Sequence, residues 1–127
     1  LLDYKIPDLK CDYYATSLHK WMAAPVGTGL LYIKKNKIKK VWPLFGDYGH
    51  EEDDIRKFER IGTYPAAIYV SISNALKFHQ SVGTKFKEER LRYLKDYWVQ
   101  QVIHFPKLKF NMPLDEKQSC AIANFSI

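Results

Sequence analysis

Two strand patterns, joined by a loop of turn-forming residues, fill positions 11–34 and constrain the fold more than any other stretch. Cys11-Asp12-Tyr13-Tyr14-Ala15-Thr16-Ser17 is dense in aromatic residues and Thr, which favours a short buried strand over 11–17. Residues 18–28 follow as loop, punctuated by Pro25 and Gly27. Gly29-Leu30-Leu31-Tyr32-Ile33-Lys34 reads as a second strand over 29–34, ended by a turn around Asn36.

The exit from the first strand carries reactive groups. Ser17-Leu18-His19-Lys20 sets a hydroxyl, an imidazole and an amine within four residues. A lysine amine becomes a nucleophile when burial or a nearby positive charge removes its proton, and it then condenses with an aldehyde. Ser17 and His19 are both able to donate hydrogen bonds to phosphate oxygens. A residue just after a strand also lies at the carboxyl-end edge where open α/β sheets place ligands. That combination suits pyridoxal 5'-phosphate, an aldehyde cofactor carrying a phosphate. Each part alone is ordinary: a His-Lys pair is common surface chemistry and Pro-x-Gly-x-Gly a common turn. Their order and spacing give the reading its weight.

From 41 to 64 the pattern is irregular, with Pro43, Gly46, Gly49 and the acidic run Glu51 to Asp54, and a short helical turn expected near 53–59. Loops this long are usually functional or make contacts with another chain. A helix is expected from Pro65, which has no N–H to leave unsatisfied at the first position. Ile68, Ile72, Ala75, Leu76 and Val82 recur at helical spacing, and Gly83 supplies the stop. Thr84 is placed to cap a second helix running to about His104, with Phe86, Leu91, Leu94, Trp98 and Val102 on one face and Pro106 ending it. A brief strand over 107–111, a loop over 113–119 and a final strand over 120–127 complete the expectation. Within this pattern Gly62 and Thr63 fall directly before a helix start, where free N–H groups and the helix dipole attract anions. Thr63 as a simple helix cap is the alternative.

The chain has 127 residues, a net charge of +6 and a pI near 9.2, which favours anionic partners in general. Much of the excess sits at Lys34, Lys35, Lys37, Lys39 and Lys40. A solvated turn accounts for that cluster, because Tyr32 and Trp42 alone do not make the stacking platform of a single-strand binder. Cys11 and Cys120 form neither a disulfide framework nor a metal-ligand spacing. No apolar stretch has the length of a membrane span, and no signal-peptide pattern opens the chain. The cytoplasm is the default compartment, with export after removal of a leader left open. Both ends read as cut: the chain opens without Met, and its last strand pattern lacks a following partner. The expectation is an internal segment of a longer protein.

Two motifs carry a family resemblance. Asp12-Tyr13-Tyr14-x-x-Ser17-x-His19-Lys20-Trp21, followed by Pro25-x-Gly27-Thr28-Gly29-x-x-Tyr32, resembles the lysine motif of class V aminotransferases, which are fold type I pyridoxal phosphate enzymes. Phe58-Glu59-x-x-Gly62-Thr63-x-x-Ala66 resembles the second motif of the same family. Arg90-Leu91-Arg92-Tyr93-Leu94 and Gln118-Ser119-Cys120 are similar to the isopenicillin N epimerase-like branch. The resemblance implies that Lys20 forms the Schiff base with the cofactor and that Ser17 and His19 bind its phosphate. It implies that Gly62 and Thr63 reach the phosphate of a neighbouring subunit's cofactor, in a homodimer with shared sites. The family's pyridine-nitrogen carboxylate, its ring-stacking residue and its substrate-carboxylate Arg have no match in these residues. Arg60 is not assigned to the last role, and Cys120, at the start of a strand pattern, is not a desulfurase nucleophile.

The fold expected from this resemblance is α/β: the C-terminal part of a fold type I large domain over 1–83, then a linking helix and the first strand of a small C-terminal α/β domain over 84–127. The expected function is that of a pyridoxal phosphate enzyme acting on an amino acid or related amine, an aminotransferase or an epimerase, with the isolated segment inactive. The alternative is a basic, non-catalytic module that binds nucleic acid or another polyanion.

Overall fold

A computed structural model describes residues 2–46 and 48–127. The chain divides into two compact units, one over Tyr4–Lys77 and one over Phe78–Ile127 with the first residues as far as Asp3.

In the first unit, β1 (Tyr13–Ser17) and β2 (Gly29–Ile33) pair antiparallel, with Tyr13 opposite Ile33 and Ser17 opposite Gly29. The ladder continues past both ends, where Leu18 N–H donates to the Thr28 carbonyl at 3.0 Å and Lys34 N–H to the Asp12 carbonyl at 2.9 Å. Aromatic and β-branched side chains suit this pleated surface, and the Pro25–Gly27 loop turns the chain back upon itself. The segment expected to turn at Asn36 is a 3-10 helix, Lys35–Lys40, and the turn expected near 53–59 is another, Ile55–Phe58. Asp54 caps the latter by accepting the Arg56 N–H at 2.9 Å. The apolar core of this unit is Leu18, Ala24, Ile33 and Ile38. Lys57 is buried with them, its ammonium donating to the carbonyls of Ile38 at 2.9 Å and Glu52 at 2.6 Å. Helix α1 (Ala66–Val82) begins one residue beyond Pro65, and its residues from Phe78 onward belong to the second unit.

In the second unit, α2 (Thr84–Val102) follows Gly83, whose φ of 85° breaks the helical path between the two helices. Thr84 does not cap α2: it is the first helical residue, Gly83 occupies the cap position, and no side-chain cap is made. The helix also stops at Val102, short of His104. β3 (Lys109–Phe110) and β4 (Phe125–Ser126) form a two-residue antiparallel pair. Trp98 lies beside Phe110 and Phe125, ring centroids 6.2 and 5.9 Å away, and Val99 is buried. Arg92 holds Glu88 at 2.8 Å and donates to the carbonyls of Glu116 and Ser119, and Lys95 reaches the Ser119 hydroxyl at 2.8 Å and Asp96 at 2.7 Å.

Two further sequence expectations change here. Phe86 and Leu94, placed on the buried face of α2, are 63 % and 44 % exposed, and Leu76 of α1 is exposed as well. The loop over 115–119 and the β3–β4 pair meet α2 through Arg92, Lys95 and Trp98, so Phe86 lies N-terminal to what covers the helix. The strand expected over 120–127 is cut to Phe125–Ser126, because β3 offers only two residues to pair with. The mixture of helix and strand agrees with an α/β class. Among the described residues no helix is long and apolar enough to cross a membrane, and no cluster of metal ligands forms.

Candidate cofactor site

Ser17 is the last residue of β1, Leu18 is buried, and His19 and Lys20 sit in the bend that follows. Burial of Leu18 between them makes the chain project Ser17 and His19 away from the core. Ser17 is exposed, His19 half-buried and Lys20 exposed. The His19 ring is anchored: its Nδ1 lies 3.1 Å from the Thr28 carbonyl oxygen. Among the described residues the Ser17 hydroxyl and the Lys20 amine make no hydrogen bond or ion pair, with each other or with His19. A shallow, open groove of about 590 Å³ runs beside Ser17, lined among others by Gly27, Thr28 and Gly29; His19 and Lys20 are not part of its lining.

This donor set fits an anionic aldehyde. From Ser17 to Gly29 there is no acidic residue to repel a phosphate or to neutralise Lys20. Among the described residues a hydroxyl, the second ring nitrogen of His19 and an amine stand without protein partners at the mouth of a loop, as a ligand with acceptor oxygens and a carbonyl requires.

Thr28 is the residue that motif reading passed over. It is 2 % exposed, and its Oγ1 donates to the Pro25 carbonyl at 2.7 Å. Its own N–H donates to the same carbonyl at 3.2 Å. A β-branched residue flanked by two glycines was the available signal, since such a residue inside a flexible turn implies that its side chain is held. Gly27, two residues before the site's opposite strand, has φ of 87° and open space where a Cβ would go. Gly27→Ala is therefore expected to cost about 1–2 kcal/mol through backbone strain alone, without a clash. Denaturant unfolding measures that cost, and Gly27→Asn, which tolerates this backbone region better, should recover part of it.

The second motif stands elsewhere in the same unit. Gly62 and Thr63 are exposed, in a bend three to four residues before α1. Thr63 makes no side-chain cap among the described residues, so capping does not account for it. No hydrogen bond or ion pair among the described residues links Gly62 or Thr63 to the Ser17–Lys20 bend. Beyond them Tyr64 stacks on Tyr69, centroids 3.8 Å apart, which orients the entry to α1.

At the far end of β1, Asp12 meets the lysine cluster. Its carboxylate lies 3.0 Å from the Lys37 ammonium and 3.6 Å from that of Lys34. The Lys37 hydrogen bond, then the charges of Lys37 and Lys34, hold the Asp12 carboxyl below its ordinary pKa, and the hydrogen bond and charge of Asp12 in turn raise that of Lys37. A depressed carboxyl stabilises the folded state above its unfolded pKa and loses that contribution as pH falls through the folded value. Asp12→Asn should thus flatten the acid side of the stability profile, and a carboxyl carbon NMR titration should place Asp12 below an ordinary Asp. The effect is small, since the pair is exposed.

Comparison with known proteins names the family. The model of the class-V aminotransferases matches residues 2–127. The chain belongs to that family. Among curated class-V relatives, it is 28 % identical over 107 residues to an isopenicillin N epimerase of Amycolatopsis lactamdurans, covering 72 % of this chain and 27 % of that protein. It is 24 % identical over 112 residues to the isopenicillin N epimerase of Streptomyces clavuligerus, covering 76 % and 28 %. It is 32 % identical over 117 residues to a probable cysteine desulfurase of Ureaplasma parvum, covering 84 % and 28 %. This class-V chain thus spans a little over a quarter of the length of these relatives.

Proposed function

We propose that the whole protein is a pyridoxal phosphate-dependent enzyme that acts on an amino acid or related amine, with epimerase-like or aminotransferase activity, and that the segment alone is inactive. The observation that carries this is the donor set of Ser17, His19 and Lys20, in which, among the described residues, the hydroxyl, the second ring nitrogen and the amine are unpaired, with no carboxylate through Gly29, in a class-V chain. When bound, the cofactor supplies an aldehyde that amines attack and a ring that withdraws electrons. Ser17 donates its hydroxyl to the phosphate, and His19 approaches the same group with the ring nitrogen that Thr28 leaves free. Lys20 presents its amine to the aldehyde and moves the proton at the α carbon of the substrate. Gly62 and Thr63 are assigned to the phosphate in a neighbouring subunit of a homodimer, which gives these exposed residues a ligand.

Borohydride reduction of the intact protein loaded with pyridoxal phosphate tests the assignment. Peptide mapping should find the cofactor's mass on the peptide that contains Lys20. Its appearance on another lysine alone would sink the reading.

A further inference from the structure

The contact between His19 and Thr28 determines more than orientation. A backbone carbonyl oxygen only accepts hydrogen bonds, so the Nδ1 atom 3.1 Å from it carries the proton whatever the ring's charge. In the neutral ring, Nε2 is then an acceptor, and it becomes a donor only when the ring takes a second proton. The oxygens of a dianion are also acceptors. Two acceptors repel each other, so His19 as a neutral ring cannot grip a dianion through Nε2.

We propose that His19 holds an anion at this bend only as the imidazolium, with Thr28 as the positioning residue that imposes its tautomer, so that a dianion binding to the neutral ring takes up one proton. The inference rests on the reading of Ser17, His19 and Lys20 as an anion site, and adds to it the protonation state and the residue that sets it. Thr28 is built for this. Its side-chain hydroxyl and its N–H both hold the Pro25 carbonyl, at 2.7 and 3.2 Å, which closes the turn and locks the residue in place. Its carbonyl then receives two donors, Leu18 N–H at 3.0 Å and His19 Nδ1–H, using both lone pairs. The same atom thus ends the β1–β2 ladder and aims the imidazole. Of the chain neighbours of His19 only Lys20 titrates. From the β2 side the ring meets the uncharged Thr28 backbone, and among the described residues no charged side chain forms a hydrogen bond or ion pair with it.

Inorganic sulfate is the probe, since it stays a dianion across the range where imidazoles titrate. Nitrogen-15 NMR of the intact protein in alkaline solution should show His19 protonated at Nδ1 and bare at Nε2. Sulfate should protonate Nε2, and its affinity should fall at least about tenfold between about pH 6 and about pH 8. His19→Gln offers an amide N–H at every pH, so its sulfate affinity should be flat over that interval, with Lys20 intact in both proteins. Thr28→Val, which loses the bond to Pro25, should mix the two tautomers, and Thr28→Ser should restore the single one. Sulfate binding that shifts Ser17 and His19 signals but shows the same pH-independence in wild type and His19→Gln would overturn the proposal alone. A bare Nδ1 in the free protein would do the same. Sulfate that leaves both residues unperturbed at every pH would instead overturn the anion-site reading and the proposal with it.

Discussion

Lys20→Ala is expected to lower turnover of the intact protein by about 10³-fold or more and to remove its visible absorbance with pyridoxal phosphate. The size follows from two roles falling on one amine: attachment of the aldehyde and movement of the substrate proton. Lys20→Arg separates charge from nucleophilicity. A guanidinium keeps the positive charge but does not condense with an aldehyde at neutral pH, so this variant should bind pyridoxal phosphate weakly through Ser17 and His19 and still fail to turn over. A comparison substitution, Lys35→Ala in the 3-10 helix after β2, should leave both readouts unchanged. Retained turnover in Lys20→Ala would refute the assignment, whatever happened to cofactor binding.

The second large effect lies in the fold. Lys57→Met keeps the apolar stem of a 7 % exposed residue and removes the ammonium that joins the Ile38 and Glu52 carbonyls. A charged donor lost from two acceptors costs about 2–4 kcal/mol when nothing replaces it. The Ile38 carbonyl keeps its bond from Val41 N–H at 3.1 Å, so the loss falls most heavily on the Glu52 side. Hydrogen exchange at the Val41 and Asp54 amides should speed up by on the order of 10- to 100-fold, and global unfolding should shift in the same direction. Unchanged exchange at both amides would mean that Lys57 is held by its packing rather than by its hydrogen bonds. Because Lys57 ties the segment after β2 to the stretch before Ile55, its loss should also disturb the long loop that ends at Gly62 and Thr63.

Much of the architecture was legible from local pattern. The two strands were placed within two residues at each end, because aromatic and β-branched alternation and turn residues are properties of adjacent positions. The helices were separated at Gly83 for the same reason. The misjudged residues share another cause. Phe86 and Leu94 repeat at the right spacing for a buried face, but periodicity says which residues share a side and not what covers that side. Thr84 looked like a cap by identity, whereas capping depends on the backbone angles one residue earlier. The tetrapeptide Ser17-Leu18-His19-Lys20 was readable as chemistry, yet Thr28, which aims its imidazole, drew no assignment of its own.

Sequence alone determined the order of groups along the chain: hydroxyl, imidazole, amine, then a glycine turn, then the second strand, with the Gly62-Thr63 bend ahead of a helix. These follow from covalent connectivity and from preferences that act within a few residues. Only the tertiary structure decided that Lys57 is buried beneath two carbonyls, that Asp12 partners two lysines of the basic cluster, and that the Thr28 carbonyl dictates which nitrogen His19 leaves free. Those outcomes depend on groups 5 to 25 residues apart in the chain meeting at 2.6 to 3.6 Å. No spacing rule encodes such meetings, because they come from how the β1–β2 hairpin and the segments after it pack.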